Sequence, residues 1–391
     1  MLCRFSKNLF THSFNQFCFK TSPGLRGLFA NSALGIDGYL KARERVKIQF
    51  MDLTDNFKMK MMEFTEPNSK NMIFTEDLKS MVHLCENKPD DVELVLKMIK
   101  RFNSQNKELR FGSFIFGPVV LRALHHLNQP KVALQAFKDP ELDGFFDQIV
   151  SYCILMDLLF KNEMYKEVVE VFDIVSTKQM HGAKYPRNAV ILFMAACYKI
   201  NSKEYFDYAM NAWKKLQELG HNPVRRAVTF AAALAINQNS PHIALEILSC
   251  TQQLNYITVR NLKVAALADL RRPEDALPIL RNVLEQDNPE QKKQTFTKDV
   301  MQKLKVAATE SSNKEVVKEF TRLEKMLTEG EHISDKVLDD HLCSEITQTN
   351  VPGRVSDEFN QGPFSNYSNQ GRQSFQRIPP RHYRQSLKDM E

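Results

Sequence analysis

None of the seven cysteines, at positions 3, 18, 85, 153, 197, 250 and 343, forms a CxxC pair, so neither a zinc ribbon nor a dithiol redox site is indicated, and buried reduced thiols are expected. Glycine is scarce, with 13 residues against 16 Met and 27 Phe. That balance disfavours turn-rich β structure and favours continuous helices with large side chains filling their interfaces. No HExxH, Walker loop, GxGxxG or GxSxG occurs, which removes the common hydrolase, nucleotidase and dinucleotide-binding signatures. The one acidic cluster, Asp335, Asp339 and Asp340 beside His341, lies on too few turns of chain to converge on a metal, and a solvated face is expected there. His125 and His126 have no companions at ligand spacing. No catalytic residue, metal or other cofactor is expected.

Acidic residues are also missing from the first 36 positions, which carry Arg4, Lys7, Lys20 and Arg26 among several Phe, Ser and Thr. This is the composition of a mitochondrial transit peptide, assigned to residues 1–36, and it points to the matrix. Lys7, Asn8, His12 and Asn15 interrupt any secretory core, and no run is long enough for stable membrane insertion. The whole chain carries a net charge of +6. Four of those charges belong to the leader, and the tail from Val351 adds six basic against four acidic residues, so the body between them is close to neutral. Any polyanion contact must then come from a local stripe of cations.

A seven-residue phrase recurs as Asn128-Gln-Pro-Lys-Val-Ala-Leu134, Asn239-Ser-Pro-His-Ile-Ala-Leu245 and Arg271-Arg-Pro-Glu-Asp-Ala-Leu277. A polar residue and Pro end one helix and begin the next, and the Ala three residues later permits close packing. With degenerate copies at Val168 and Ala209, the equivalent positions 133, 168, 209, 244 and 276 are separated by 35, 41, 35 and 32 residues, the period of a two-helix repeat in an all-α solenoid. Residues 37–75, with Met59-Lys-Met-Met-Glu63, are expected to be N-terminal cap helices, 76–290 the repeats, and 291–345 a closing helical cap. Within that cap Val300, Leu304, Val306, Val316, Val317, Phe320, Leu323 and Leu327 keep three-and-four spacing. Residues 346–391 have too little apolar content for a core and are expected to be a disordered tail, in which Arg372, Phe375, Arg377, Arg381, Tyr383 and Arg384 interleave cations and rings in a pattern suited to RNA.

Cations recur in register. Lys184 and Arg187 sit at one inter-repeat turn, Arg225 and Arg226 at the next, and Arg260 and Lys263 on the helix that follows, so they could track a phosphate backbone or simply solvate turns. Tyr152, Phe230 and Tyr256 could stack on bases or belong to the core.

The segment Val150-Ser-Tyr-Cys-Ile-Leu-Met-Asp-Leu-Leu-Phe-Lys161, followed by Glu167-Val-Val-Glu-Val-Phe172 and Gly182-Ala-Lys-Tyr-Pro186, with the ending repeated as Gly220-His-Asn-Pro223, resembles the pentatricopeptide repeat family. The resemblance implies a right-handed α-solenoid that binds single-stranded mitochondrial RNA and has no chemistry of its own. It implies action in maturation, processing or stability of a transcript, such as an mRNA for a respiratory-chain subunit, alongside processing nucleases or ribosomal proteins. A protein-binding scaffold in ribosome or complex assembly is the competing expectation. In this family a polar residue early in each first helix reads a base, and that position falls on Cys153, Ile191, Thr229 and Asn261. Only Thr229 and Asn261 carry groups suited to a base edge, so loose sequence preference is expected.

Overall fold

The computed structural model describes residues 27–109, 114–179, 184–251, 256–286, 293–311 and 313–346. These form two compact units: one holds Asn31–Leu155, and the other holds Met156–Ile346 together with the segment preceding Asn31. Both are helical, and the fold is an all-α solenoid of helix hairpins.

The first unit runs α1 (Asn31–Leu34), α2 (Ile36–Phe50), α3 (Thr54–Phe64), α4 (Thr75–Leu84), α5 (Pro89–Leu109), α6 (Gly117–His126), α7 (Pro130–Lys138) and the start of α8 (Ile149–Lys161). Its early helices are tied by polar groups as well as by packing. Buried Arg43 on α2 donates to the His83 and Cys85 carbonyls at 2.8 and 2.6 Å, satisfying the C-terminal oxygens of α4. Lys58 pairs with Asp91 at 2.6 Å, joining α3 to α5.

The second unit continues with α9 (Tyr165–Lys178), α10 (Arg187–Ile200), α11 (Lys203–Glu218), α12 (Arg225–Asn237), α13 (Pro241–Ser249), α14 (Ile257–Asp269), α15 (Pro273–Glu285), β1 (Phe296–Thr297), α16 (Lys298–Glu310), α17 (Lys314–Glu329), β2 (Ile333–Ser334) and α18 (Leu338–Leu342). The recurring phrase explains the hairpins. Asn128, Asn239 and Arg271 take φ of 52°, 53° and 57°. The next residue's amide reaches back five positions, Gln129 to Leu124, Ser240 to Ala235 and Arg272 to Leu267, at 2.9–3.0 Å. This is a Schellman stop, which Asn supplies readily and Arg271 supplies at some conformational cost. Pro130, Pro241 and Pro273 then open the second helices, where a missing N–H is harmless. The five equivalent positions, Ala133, Val168, Ala209, Ala244 and Ala276, are all fully buried.

First helices α10, α12, α14 and α16 pack on one another in sequence. Ala189–Cys197 and Ala227–Ala235 are buried without interruption. A helix that is apolar all round is one covered all round. β1 and the hairpin α16–α17 add Phe296, Val300, Leu304, Phe320, Leu323 and Leu327 to a core shared with α14 and α15, while Val306, expected on the same stripe, is 47% exposed. Beyond α17 the chain pairs β2 in parallel with β1, Phe296 opposite Ile333. It then runs back through α18 against α12 and α14.

Part of the segment assigned to the leader belongs to this unit. Leu28, Phe29 and Ala30 are buried, the Leu28 and Phe29 amides both donate to Asp157 Oδ1 at 2.9 Å, and Ala30 N and Leu28 O bond Ile346 O and N at 3.0 and 2.9 Å. The fold therefore starts before residue 36. The rest of that leader, residues 1–26, and the tail 347–391 lie outside the described residues.

Candidate nucleic-acid interface

The four positions assigned to base reading point inward. Cys153, in the first unit, is 0% exposed, and in the second unit Ile191, Thr229 and Asn261 are 4%, 1% and 1% exposed. Thr229 Oγ1 donates to the Arg226 carbonyl at 2.9 Å. Asn261 is fully engaged: its Nδ2 donates to the Ile257 and Thr295 carbonyls at 3.0 and 3.3 Å, and its Oδ1 accepts from the Thr297 amide at 3.0 Å. Neither polar group is turned towards a ligand. The first-helix register that places these residues early in the helix also places them against neighbouring helices, because the middle turns of α10, α12 and α14 are covered almost throughout. Tyr152 and Phe230 are fully buried as well, which settles their packing role in this conformation.

The cations divide. Arg260 is 4% exposed and donates to Gln294 Oε1 and Gln286 Oε1, both at 2.6 Å, and burial lowers its pKa. It braces the connection from α15 to β1. Lys263 is half-buried, with its pKa also lowered by burial. Arg187, Arg225 and Arg226 come together around a cavity of about 460 Å³, whose wall also includes Asn222, Pro223, Val224, Cys250 and Thr251. An adjoining cavity of about 250 Å³ is lined by Tyr185, Arg187, Gly220, His221 and Asn222 among others, and Lys184 lies beside it over the Tyr185 ring at 5.6 Å.

Helix starts shape this groove. Arg187 is the first residue of α10, and Arg225 and Arg226 are the first two of α12. Neither helix, nor α14 after them, has a side chain capping its N-terminal amides, whereas Ser202 and Asn313 cap α11 and α17. Uncapped amides and guanidinium groups on one rim favour an anion. The Arg225 guanidinium lies 3.5 Å from the centroid of the Tyr256 ring, a platform of the kind on which a base stacks.

Arg226 lines this cavity too, but its terminal nitrogens are bonded to the segment after α17. Its Nη1 donates to the Leu342 and His341 carbonyls at 2.8 and 3.4 Å, and its Nη2 to the Ser344 carbonyl and hydroxyl, each at 2.8 Å. In the last turn of α10, Lys199 Nζ contacts both Asp339 oxygens at 2.9 Å. The acidic cluster expected to be solvated thus supplies Asp339 to a latch, and Asp335 to an ion pair with Lys298. Asn222, Thr251 and the 338–346 strap were not legible as site residues.

No protein-family model matches the chain. Curated relatives do, among them three each named "Pentatricopeptide repeat-containing protein 2, mitochondrial". The Xenopus laevis protein is 30% identical over 327 residues, 81% of this chain and 83% of its own length. The Pongo abelii protein is 31% identical over 279 residues, 71% and 70% of the two chains. The Danio rerio protein is 30% identical over 274 residues, 70% of each. This chain belongs to the family of mitochondrial pentatricopeptide repeat-containing protein 2. Membership makes it a mitochondrial pentatricopeptide repeat protein. In this chain the four positions expected to read bases are enclosed, while Arg187, Arg225 and Arg226 gather at helix starts. Among the described residues no helix is long and apolar enough to cross a membrane, and no cluster of His, Cys, Asp and Glu could hold a metal ion.

Proposed function

We propose that the protein binds single-stranded RNA in the mitochondrial matrix and acts, without chemistry of its own, in maturation, processing or stability of a transcript, with an mRNA for a respiratory-chain subunit as the target. The observation that carries this reading is the groove at the starts of α10 and α12, where Arg187, Arg225 and Arg226 meet uncapped helix amides and the Arg225–Tyr256 stack. Lys184 extends the cationic rim. A strand held there is gripped by its phosphates and by one stacked base rather than read edge by edge, since the polar groups of Thr229 and Asn261 are spent inside the protein. Binding therefore protects or exposes a cleavage site with loose sequence preference, and separate nucleases do the cutting.

The enclosed reading positions favour a second interpretation, a protein-binding scaffold in ribosome or complex assembly, because nothing in a guanidinium-lined groove excludes an acidic peptide. The deciding measurement is RNA affinity against salt for the wild type and for a chain carrying Arg187→Ala and Arg225→Ala. Each phosphate contact contributes roughly 0.7 to the log–log slope for single strands, so losing two should flatten it by about 1.4. An unchanged slope in the folded variant assigns these cations to turn solvation, and absence of enriched RNA after crosslinking in intact mitochondria favours the scaffold.

A further inference from the structure

We propose that Lys199 and Arg226 form a second phosphate-binding face for single-stranded RNA, and that the chain's own 338–346 segment occupies it as a displaceable substitute. The inference rests on the RNA-binding reading above and adds a covered site and its gate. Its first support is position. The strap lies across the first-helix layer, with α18 packed on α12 and α14, Asp339 on Lys199 of α10 and Ser344 on Arg226 of α12.

The second support is chemistry. Arg226 presents its two terminal nitrogens to four oxygens, three carbonyls and one hydroxyl, at 2.8–3.4 Å. All four are neutral. A guanidinium fork matches a phosphate or carboxylate better than it matches carbonyl dipoles, so a phosphodiester would replace these acceptors with stronger ones. Burial lowers the Arg226 pKa, the sign of a cation whose desolvation its present partners do not fully offset. Lys199 meets a carboxylate that offers two oxygens, as a non-bridging phosphate pair would. The strap thus carries an anion for one cation and a row of oxygens for the other. Arg226 also lines the open groove beside Arg187 and Arg225, so the groove and the strap share this residue.

The third support is how little apolar surface the helix of the strap buries. Its helix is five residues long and buries Leu342 alone, Val337 before it is exposed, and the Lys199–Asp339 pair is partly open to solvent, where an ion pair is weak. Displacement loses the Leu342 anchor, this pair, the Arg226 bonds, the Leu338 amide bond to Asp299 and the Ile346 pairing with Leu28 and Ala30. A strand that supplies two phosphates to Lys199 and Arg226 replaces the contacts of those two cations.

The test uses the full-length protein, a fluorescein-labelled single-stranded RNA of random sequence, and hydrogen–deuterium exchange. Leu342→Ala loosens the strap without changing charge, and Asp339→Asn breaks the latch while keeping the side-chain shape. Both variants should bind the RNA at least fivefold more tightly than the wild type, and the gain should vanish when Arg226→Ala is added to Leu342→Ala. In the wild type, RNA should raise amide exchange across 338–346. RNA binding at unchanged affinity in both loosened variants, with the strap equally protected, overturns the proposal and leaves RNA binding in place. No binding by wild type or either variant overturns the RNA reading and this inference together.

Discussion

Asn261→Ala separates a structural role from base reading at the residue where the sequence pattern and the packing diverge most. In the structure Asn261 joins the first turn of α14 to β1 through the Thr297 amide, with Thr297 itself fully buried. Truncation leaves that amide without its acceptor, at about 1–3 kcal/mol, and takes a donor from the Thr295 carbonyl at 3.3 Å, a longer and weaker bond. The small volume removed adds little, so the expected loss is about 2–3 kcal/mol. For a cooperative unit of this size that is a fall in Tm of roughly 5–10 °C. Thermal and urea unfolding of the full-length chain measure it, and selection on random RNA run in parallel reports base preference. If Asn261→Ala melts within a degree of the wild type while preference at one nucleotide relaxes, the side chain spends its time on RNA and the enclosure argument fails.

Asp157→Ala removes the acceptor shared by the buried Leu28 and Phe29 amides, and should cost about 2–4 kcal/mol because hydrogen bonds to a charged acceptor are strong; urea unfolding checks the magnitude, and normal stability would mean that residues 27–30 do not dock in solution. The Lys199–Asp339 latch should have a pH window. Burial pushes the Asp339 pKa up but its Lys199 and Tyr198 hydrogen bonds outweigh this and hold it below the usual value, so its contribution is present above the ordinary Asp range and fades as pH falls through the lowered pKa. Burial likewise works against the Lys199 ammonium, the Asp339 bonds prevail, and its pKa is raised; that contribution is complete below the ordinary Lys value and fades as pH rises through the raised one. Exchange-rate-corrected protection of 338–346 should therefore be highest near neutrality and fall in acid first, and protection that is flat from pH 3 to pH 8 would show that the ion pair does not hold the strap.

The hairpins were legible because their cause is local. A Schellman stop at Asn128, Asn239 or Arg271, a Pro at the next helix start and a small residue one turn on occupy seven consecutive positions, and each acts on its neighbours. Grouping of Arg187 with Arg225 was legible for the same reason, since both stand at the start of a first helix. Adjacent Arg225 and Arg226 look interchangeable in the sequence, yet successive side chains on a helix diverge by about 100°. One covers Tyr256 and the other grips Ser344. Partners separated by 118 and 140 residues, as in Arg226–Ser344 and Lys199–Asp339, leave no periodic trace. A five-residue helix such as α18 is too short to show one.

The pairing of Leu28 and Ala30 with Ile346 also constrains the order in which the chain can mature. A polypeptide delivered N-terminus first presents the segment beginning at Gly27 early, but its partner arrives only after the whole helical array has followed, and every residue between must be threaded before this closure forms. Loop closure over such a span is entropically costly and slow unless the intervening helices have already condensed. The Asn31–Leu155 helices can assemble as they emerge. The other unit stays open at its seam until Ile346 is through, so a chain stalled in transit exposes apolar Leu28 and Phe29 to whatever chaperones or proteases stand at the exit, and the completeness of translocation is written into whether that seam shuts.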